Sequence, residues 1–450
     1  MTPPPKTRAE RLIMDLGLNW SPKRRERFLS RVKTVYVKRL KEPYPLDGYF
    51  TAATSKAKRQ WKTYWEGKRV QEPWRNKGQR REIVGFHPSR LQYVIQPEES
   101  AVFRDADTGE IVLVVLRNFV PDEDIRESMV DICKEIIPTR IDARRDDPGM
   151  LVHFGYTCGS RTIGLTRLAA SKARLDSVAA VKREKNINAK AQGMAGIVWN
   201  LMKSRLPPEI TADFNDMIEK YNLPRMNMQR KDTDFTFKVD GEDITFHTGE
   251  NGLELPPPTA MSAINYARHT HTEINGNNWV VAITAHAPED PTKGGNFYQA
   301  SYGIMMLPAT NTASAWNARD HHGTTLYEMK EGEGGRAGSE LREDGDFNTG
   351  MVFEIPKGFK TACARSPWLN KQPQGEPVML SSDEDESETS DDALENTPVL
   401  RTTKSNGGKL SPPKPKPKPR PSPRREAKLE RRAKMMMRQP SSDSEYVPPD

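Results

Sequence analysis

Asn265-Tyr-Ala-Arg-His-Thr-His-Thr-Glu-Ile-Asn275 is the stretch that decides the fold of this chain, together with Trp316-Asn-Ala-Arg-Asp-His-His-Gly-Thr324 about fifty residues later. Five of the eight histidines fall in this interval: His269, His271, His286, His321 and His322. His271 and Glu273 are two positions apart, so in an extended strand both side chains point to the same face. A histidine from a facing strand would let two imidazoles and one carboxylate converge on a single metal ion.

The interval between these two stretches has the pattern of short strands joined by turns. Trp279-Val-Val-Ala-Ile-Thr284 and Tyr302-Gly-Ile-Met-Met-Leu307 are apolar runs of strand length, and Gly294-Gly-Asn-Phe297 supplies a turn. Helical patterns before Pro224 and many short strands after it predict an α+β chain whose second half is a sandwich or jelly-roll barrel. Two histidines and one carboxylate in such a barrel are the ligand set of non-haem Fe(II) oxygenases.

On these motifs, residues 223–359 resemble the double-stranded β-helix core of Fe(II)/2-oxoglutarate dioxygenases, and most closely the fungal, transposon-associated branch of the Tet/J-binding-protein family. The matching elements are His271-Thr-Glu-Ile-Asn275, Gly294-Gly-Asn-Phe297, the apolar strand with Gly303, and His322-Gly-Thr324. The resemblance implies a cupin-like core in which His271, Glu273 and His322 are the catalytic iron ligands. It also implies 2-oxoglutarate as co-substrate and oxidation of a base methyl group, of the 5-methylcytosine or thymine type, with release of succinate and CO2. In duplex DNA that base must be flipped out of the stack.

Three details of the implied site stay open at the level of sequence. The usual carboxylate ligand of the family is Asp, whereas this chain has Glu273, which is one methylene longer. His321 is the alternative distal ligand, since adjacent strand residues face opposite sides, but the Gly-Thr after His322 favours His322. Arg336 and Lys357 are both candidates for the basic residue that holds the C5 carboxylate of 2-oxoglutarate.

Other classes of function use the same residues. Zinc in a cupin-like barrel takes the same ligands. A catalytically degenerate dioxygenase fold that binds DNA or chromatin is the main alternative function, because Glu273 departs from the family pattern. A capsid-like jelly roll would leave the histidines bonded to backbone carbonyls, without a shared ion. Cys158, close to His153 in sequence, is a weaker candidate for a nucleophile.

Local patterns predict several elements outside the barrel. Residues 101–116 form a hairpin around the turn at 105–109. A helix starts at Pro121, with acidic residues in its first turn, and stops at Pro138. Two more helices cover about 170–203 and 208–221, and a second hairpin follows in the region of Asp240-Gly-Glu-Asp243.

These patterns divide the chain into four regions. Residues 1–83 are a basic helical region, residues 84–222 a mixed α/β and helical region that packs on the core, and residues 223–365 the double-stranded β-helix. Residues 366–450 are a disordered tail, first acidic and then basic and proline-rich, because such a composition cannot bury enough apolar surface to fold.

The basic N-terminal region contains two segments of interest. Residues 23–41 carry a cluster of Lys and Arg on a predicted helix with Phe28, Leu29, Val32, Val35 and Tyr36. Further on, Trp61, Tyr64, Trp65 and Trp74 alternate with cations. Aromatic and basic residues in alternation bind nucleic acid through stacking and phosphate neutralisation, but an amphipathic helix with a solvated face has the same pattern.

Composition sets the remaining expectations. The 450 residues carry a net charge of +8, and between Arg401 and Arg438 there are fourteen Lys or Arg residues against two Glu residues. The cluster Arg424–Lys434 predicts nuclear localisation and DNA contact through the basic flanks. No apolar run reaches the roughly 20 residues of a membrane span. The three scattered cysteines predict neither a disulfide framework nor a zinc-finger site.

Overall fold

The computed structural model describes residues 6–71, 82–158, 167–169, 171–172, 175–227, 234–249, 252–329 and 346–365. Arg336, Trp74 and the whole of the predicted tail from residue 366 onward lie outside the described residues. No helix among the described residues is long and apolar enough to cross a membrane.

Seven helices occur in the described part of the chain. They are α1 (Arg8–Leu16), α2 (Pro22–Leu29), α3 (Ser55–Gln71), α4 (Glu123–Ile136), α5 (Val178–Arg205), α6 (Pro208–Lys220) and α7 (Phe359–Ala364). The helix predicted between Pro121 and Pro138 is confirmed as α4, and the Asp122 carboxylate caps it by accepting from the Ile125 N–H at 2.9 Å. The two helices predicted after it are present as α5 and α6, but α5 begins at Val178, eight residues after the predicted start, because Ser171 forms a bridge to Arg140.

Seventeen strands accompany these helices. They are β1 (Lys33–Val37), β2 (Phe50–Ala52), β3 (Ile83–Gly85), β4 (Tyr93–Ile95), β5 (Ala101–Asp105), β6 (Ile111–Arg117), β7 (Met150–Thr157), β8 (Arg167–Leu168), β9 (Phe235–Val239), β10 (Glu242–Phe246), β11 (Thr259–Ile264), β12 (Trp279–His286), β13 (Phe297–Gln299), β14 (Ile304–Met306), β15 (Thr312–Asn317), β16 (His322–Thr324) and β17 (Thr349–Phe353).

Both predicted hairpins are present, as β5–β6 and β9–β10. Asp240 and Gly241 have φ values of +48° and +78°, so the second hairpin turns on two residues with left-handed backbone. An Asp-Gly pair suits such a turn, because its twist matches that of the flanking strands. The turn therefore ends two residues earlier than the predicted turn Asp240–Asp243.

The predicted helix over residues 23–41 is wrong in its second half. α2 ends at Leu29, and residues Lys33–Val37 form β1, which pairs in parallel with β5. The segment is Lys-Thr-Val-Tyr-Val, and β-branched and aromatic residues favour a pleated strand over a helix. The apolar pattern of these residues is too short to distinguish a helix from a strand. Pairing with β5 makes the segment a strand.

Two sheets build the core of the molecule. The large sheet has the order β1-β5-β6-β15-β12-β17-β11-β7-β8, and the small sheet has the order β16-β13-β14-β4. From β11 onward the chain alternates between them: β11 and β12 lie in the large sheet, β13 and β14 in the small one, β15 returns to the large one, β16 to the small one, and β17 to the large one. The segment with His271 joins the small sheet by an antiparallel bridge to His322.

This order is that of a double-stranded β-helix, so the predicted α+β fold with a jelly-roll core is confirmed. Apolar residues of both sheets, among them Phe103, Val280, Ile304 and Trp316, share one buried cluster between the sheets. α4, α5 and α6 cover the other face of the large sheet, where Phe154, Trp199 and Phe353 belong to the largest cluster. The described residues all fall within one compact unit, Met1–Glu384.

A third buried cluster joins α3, β2 and β3 to the chain that follows β16. It contains Phe50, Trp61, Trp65 and Leu326, and β2 forms a parallel bridge to Leu326. Trp61 is 1% exposed and Trp65 7% exposed. These two tryptophans are therefore core residues rather than a stacking surface for bases, so the amphipathic-helix alternative is the correct one for this segment.

Candidate metal centre

His271 and His322 lie opposite each other on neighbouring strands. The N–H of each residue donates to the carbonyl oxygen of the other, both at 2.9 Å. Their rings are 4.4 Å apart between centroids, and both residues are buried. The backbone pairing therefore fixes the two imidazoles side by side in the space between the sheets.

The tautomer of both rings follows from their hydrogen bonds. His271 Nδ1 lies 2.8 Å from the His269 carbonyl oxygen, and His322 Nδ1 lies 2.8 Å from the Asp320 carbonyl oxygen. A carbonyl oxygen only accepts, so each Nδ1 carries the proton and donates it. In the neutral ring Nε2 is then an acceptor, as in histidines that bind metals through Nε2.

Glu273 completes the group. Its Oε1 lies 3.2 Å from His271 Nε2, and its Oε2 lies 3.9 Å from His322 Nε2. One ligand atom from each of the three residues lies within 4.8 Å of the other two. Three acceptor atoms that face one another require a positive charge between them, so the donor set fits a divalent cation.

Burial and charge keep His322 and Glu273 in the forms that bind a metal. Burial lowers the pKa of the His322 imidazole to about 3, and the neighbouring His271 adds to the effect. Burial acts to raise the pKa of Glu273, but the contact with His271 and the guanidinium of Arg268 outweigh burial and hold this pKa well below its usual range. Neutral imidazoles and an ionised carboxylate are the forms that coordinate a cation.

Arg268 is the functional residue that sequence reasoning missed. Its Nη1 donates to Glu273 Oε1 at 3.2 Å, and its carbonyl oxygen accepts from the Thr324 N–H at 3.0 Å. Its Nε is buried without a hydrogen-bond partner among the described residues. Arg268 stands three positions before His271, whereas the predicted basic residues Arg336 and Lys357 follow the distal histidine. The signal was thus present in the quoted stretch, but only the fold shows that this side chain enters the centre.

Aromatic side chains form a wall beside the histidines. Trp316 on β15 lies 5.7 Å from the His322 ring and 4.6 Å from Phe297 on β13. Trp316 Nε1 is buried and lacks a hydrogen-bond partner among the described residues. The wall excludes water from one side of the centre and offers one unused donor.

A second carboxyl group lies near the centre. Asn275 Nδ2 donates to Glu354 Oε2 at 3.3 Å, at the end of β17. Burial, together with the charge of Glu273, raises the pKa of Glu354 to about 8. The pKa values of the two carboxyl groups are thus shifted in opposite directions, upward for Glu354 and downward for Glu273.

The other residues predicted for the site have different surroundings. His321 is half-buried, and its Nε2 lies 3.9 Å from Asp47 Oδ1, so of the two adjacent histidines His322 belongs to the cluster. Lys357 is exposed, four positions after the end of β17. Its role in binding 2-oxoglutarate, and that of Arg336 outside the described residues, stays a prediction.

A groove lies next to the centre. Its lining includes Tyr266, Lys293, Gly295, Tyr327 and Asn348. Tyr266 is two positions before Arg268, and its hydroxyl donates to Asp147 Oδ2 at 2.8 Å. Gly295 has a φ of +75°, and a Cβ there would meet no atom within 4 Å, so the backbone is open to the groove. The groove thus brings solvent close to the segment that runs from Tyr266 to His271 and Glu273.

Comparisons with known proteins give weak likenesses only. No protein-family model matches the chain. No curated protein matches it.

Solved structures that match include 2-oxoglutarate/Fe(II) oxygenases and a Tet protein. NgTET1 in complex with 5mC DNA is 12% identical, with 59% of this chain and 79% of that chain covered and a TM-score of 0.34. A prolyl-4-hydroxylase from Pseudomonas putida is 6% identical, with 54% and 92% covered and a TM-score of 0.26. A 2OG-Fe(II) oxygenase-family oxidoreductase from Burkholderia pseudomallei is 9% identical, with 54% and 82% covered and a TM-score of 0.25. At these TM-scores the assignment of the fold rests on the strand order of the two sheets.

Proposed function

We propose that this protein is an Fe(II)- and 2-oxoglutarate-dependent dioxygenase that oxidises a methyl group of a nucleic-acid base. The observation that carries the proposal is the convergence of His271 Nε2, His322 Nε2 and the Glu273 carboxylate inside a double-stranded β-helix. Two histidines and one carboxylate leave open positions on the metal, as oxygenase chemistry requires.

Bound iron would supply the oxidising power: O2 and 2-oxoglutarate are converted to succinate and CO2, and one oxygen atom enters a C–H bond of the substrate. The residues of the chain hold and orient the reactants. The bonds from the two Nδ1 atoms to backbone carbonyls keep both Nε2 lone pairs directed at one point. Phe297 and Trp316 keep water away from one side.

The charges around the centre favour an anionic co-substrate. A divalent ion with one carboxylate ligand retains a net positive charge, and Arg268 adds another. Buried charge is stable only when it is compensated. A dicarboxylate such as 2-oxoglutarate supplies that compensation, and the unpartnered Nε of Arg268 is a donor for one of its oxygens.

The choice of a nucleic-acid base as substrate is supported by the motif resemblance and by the basic residues that flank the core. Lys58, Arg59 and Lys62 are exposed on α3, and the tail sequence contains a further basic cluster, Arg424–Lys434. Such clusters neutralise phosphates. As part of the same proposal, the tail cluster directs the protein to the nucleus.

The test compares adjacent histidines. Co(II) binding by visible absorption, and O2-dependent succinate formation with Fe(II) and 2-oxoglutarate, are measured for the wild type, His322→Ala and His321→Ala. We expect His322→Ala to lose both signals, because it removes one of three ligands, and His321→Ala to keep both. Equal loss of Co(II) binding in the two variants, or Co(II) binding that neither substitution changes, would disprove the metal centre.

Metal binding without succinate formation would favour the catalytically degenerate DNA-binding alternative. If succinate is formed, DNA containing 5-methylcytosine is incubated with the active protein and analysed for oxidised bases by mass spectrometry. If 2-oxoglutarate is turned over while DNA and RNA stay unmodified, the proposed dioxygenase activity would stand and the proposed nucleic-acid substrate would be rejected.

A further inference from the structure

Two basic helices precede the barrel, and they lie on different sides of the molecule. α2 packs on α5, where Arg25 Nη1 donates to the Lys203 carbonyl oxygen at 3.1 Å. α5 covers the face of the large sheet that is turned away from the small sheet. α2 is therefore separated from the candidate metal centre by the thickness of the large sheet.

α3 lies on the opposite side, next to the chain that leaves β16. Trp61 Nε1 donates to the Tyr327 carbonyl oxygen at 2.8 Å. Gln60 and Met329 exchange two hydrogen bonds, of 2.6 Å and 2.9 Å. Lys56 Nζ lies 3.0 Å from Glu328 Oε2. α3 is thus fixed by four polar contacts to a segment only three residues long.

This segment is also the rim of the groove, since Tyr327 and Glu328 both line it. His322 is five residues before Tyr327, and an extended chain rises about 3.3 Å per residue, so the rim is within roughly 17 Å of the candidate centre. The apolar side of α3 is buried, and its outer side is exposed at Lys58, Arg59 and Lys62.

We propose that the exposed basic face of α3, formed by Lys58, Arg59 and Lys62, binds the phosphate backbone of the nucleic acid whose base enters the groove. The inference rests on the proposed function for the class of its partner. It assigns the contact to α3 and excludes α2, although the sequence gives both helices similar charge.

The spacing of the cations fits a phosphate chain. Side chains three or four positions apart on a helix are about 5–6 Å apart at Cβ, so the long side chains of Lys58, Arg59 and Lys62 can reach neighbouring phosphates of one strand. Trp61 and Trp65 are buried, and the half-buried ring of Tyr64 packs edge-on against Trp61 at 5.6 Å, so the aromatic rings described on α3 belong to its packed side. The contact is therefore electrostatic and independent of sequence.

The test uses two matched variants of the full chain. One replaces Lys58, Arg59 and Lys62 of α3 by alanine, and the other replaces Lys23, Arg24 and Arg27 of α2, which are also exposed. Each removes three positive charges, and alanine preserves helix propensity. Binding to a fluorescent duplex with 5-methylcytosine is measured by anisotropy over a series of salt concentrations, without 2-oxoglutarate. The basic tail contributes equally to both variants.

We expect the slope of log K against log salt to decrease in magnitude by about 2 to 3 for the α3 variant, because each phosphate contact contributes about 0.9. The α2 variant keeps the wild-type slope. Equal decreases in both variants would show a general charge effect and overturn the proposal. A wild-type slope in the α3 variant would also overturn it and leave this face to an acidic polypeptide, as would a full chain that binds no DNA.

The same titration with His271→Ala separates this inference from the proposed function. This variant has α3 intact and lacks a candidate iron ligand, so we expect it to bind DNA with the wild-type slope. DNA binding through α3 together with absence of succinate formation in the wild type would reject the dioxygenase and keep the surface.

Discussion

The carboxylate of the candidate centre belongs to a glutamate, and Arg268 restrains its extra methylene. Nη1 of Arg268 lies 3.2 Å from Glu273 Oε1, on the side of the carboxylate that also faces His271. Outer partners of this kind orient a ligand before the metal arrives. The longer side chain can therefore serve where a shorter aspartate is usual.

We expect Arg268→Met to weaken Co(II) binding by about 10- to 100-fold, the usual cost of losing an outer partner of a ligand. Weaker Co(II) binding would show that Arg268 acts by orienting Glu273, because removal of its positive charge would by itself strengthen the attraction for a divalent cation. Co(II) titration followed by visible absorption measures the change, and Arg268→Lys should retain part of the affinity. Tighter binding in the methionine variant would mean that Arg268 acts only through its charge.

His153, on β7, makes stability depend on pH. Burial, together with the charge of Arg144, lowers the pKa of its imidazole to about 4. The unfolded chain binds a proton below about pH 6.5, whereas the folded protein does not until about pH 4. His153 therefore costs no stability above about pH 6.5, and the cost grows as the pH falls from 6.5 to 4.

We expect His153→Gln to remove this cost. Between pH 7.5 and pH 4.5 the free energy of unfolding of the wild type should fall by roughly 2 kcal/mol relative to that of the variant; the half-buried position of the side chain limits the effect to this size. Urea denaturation at the two pH values measures it. Parallel changes in wild type and variant would show that His153 is solvated in the folded state.

At the scale of elements, close approach of two elements depends on glycine at one position. A Cβ at Gly193 of α5 would lie 2.1 Å from the Thr236 carbonyl oxygen of β9. Gly67 of α3 would meet nothing within 4 Å. Substitution by alanine at these positions, which lie on two different helices, should therefore change the free energy of unfolding in opposite directions.

We expect Gly193→Ala to lower the free energy of unfolding by about 1–3 kcal/mol, because β9 must move to make room. Gly67→Ala should raise it by roughly 0.5–1 kcal/mol through helix propensity alone. Urea unfolding of both variants measures the contrast. A stabilised Gly193→Ala protein would show that the β9–β10 hairpin does not press on α5.

Elements set by neighbouring residues could be predicted from sequence, and those set by distant partners could not. α4 follows from Asp122 and the proline that ends it, and the β9–β10 hairpin follows from Asp240-Gly241. The strand Lys33–Val37 was missed, because only its pairing with β5, about seventy residues away, distinguishes it from a helix. The place of Arg268 in the centre could not be predicted either, because its backbone is held by Thr324 on β16, a distant part of the sequence.

The order of the strands in the barrel followed from motif resemblance, not from periodicity. Strands of three residues, such as Phe297–Gln299, are too short to show an alternating pattern. The three candidate ligands could be named because histidines are rare in this chain and five of the eight fall within about fifty residues.

At the scale of the whole molecule, the N-terminal residues are part of the core. β1 pairs with β5 in the large sheet, and Phe50 packs edge-on against His269 at 5.5 Å. His269 in turn supplies the carbonyl that orients His271. Buried apolar side chains before residue 83 include Ile13, Leu16, Leu18, Val37, Tyr44, Phe50, Trp61 and Trp65.

We expect a chain that begins at Val84 to lose cooperative unfolding and Co(II) binding. Each large buried side chain contributes about 1.5–3 kcal/mol, so the eight together contribute roughly 12–24 kcal/mol, as much as or more than the ~5–15 kcal/mol by which domains are stable. Circular dichroism with urea, and Co(II) absorption, test this. A shortened chain that unfolds in one sharp transition and still binds Co(II) would show that residues 84–365 are sufficient.

The reciprocal backbone hydrogen bonds between His271 and His322 also bear on the order in which the chain folds. The two residues are 51 positions apart, so their pairing closes a long loop, and loop closure of this size is entropically costly and late in folding. An ion held by both imidazoles is a staple across that loop. Removing such an ion with a chelator should therefore lower the free energy of unfolding, because the ion binds the folded chain and not the unfolded one.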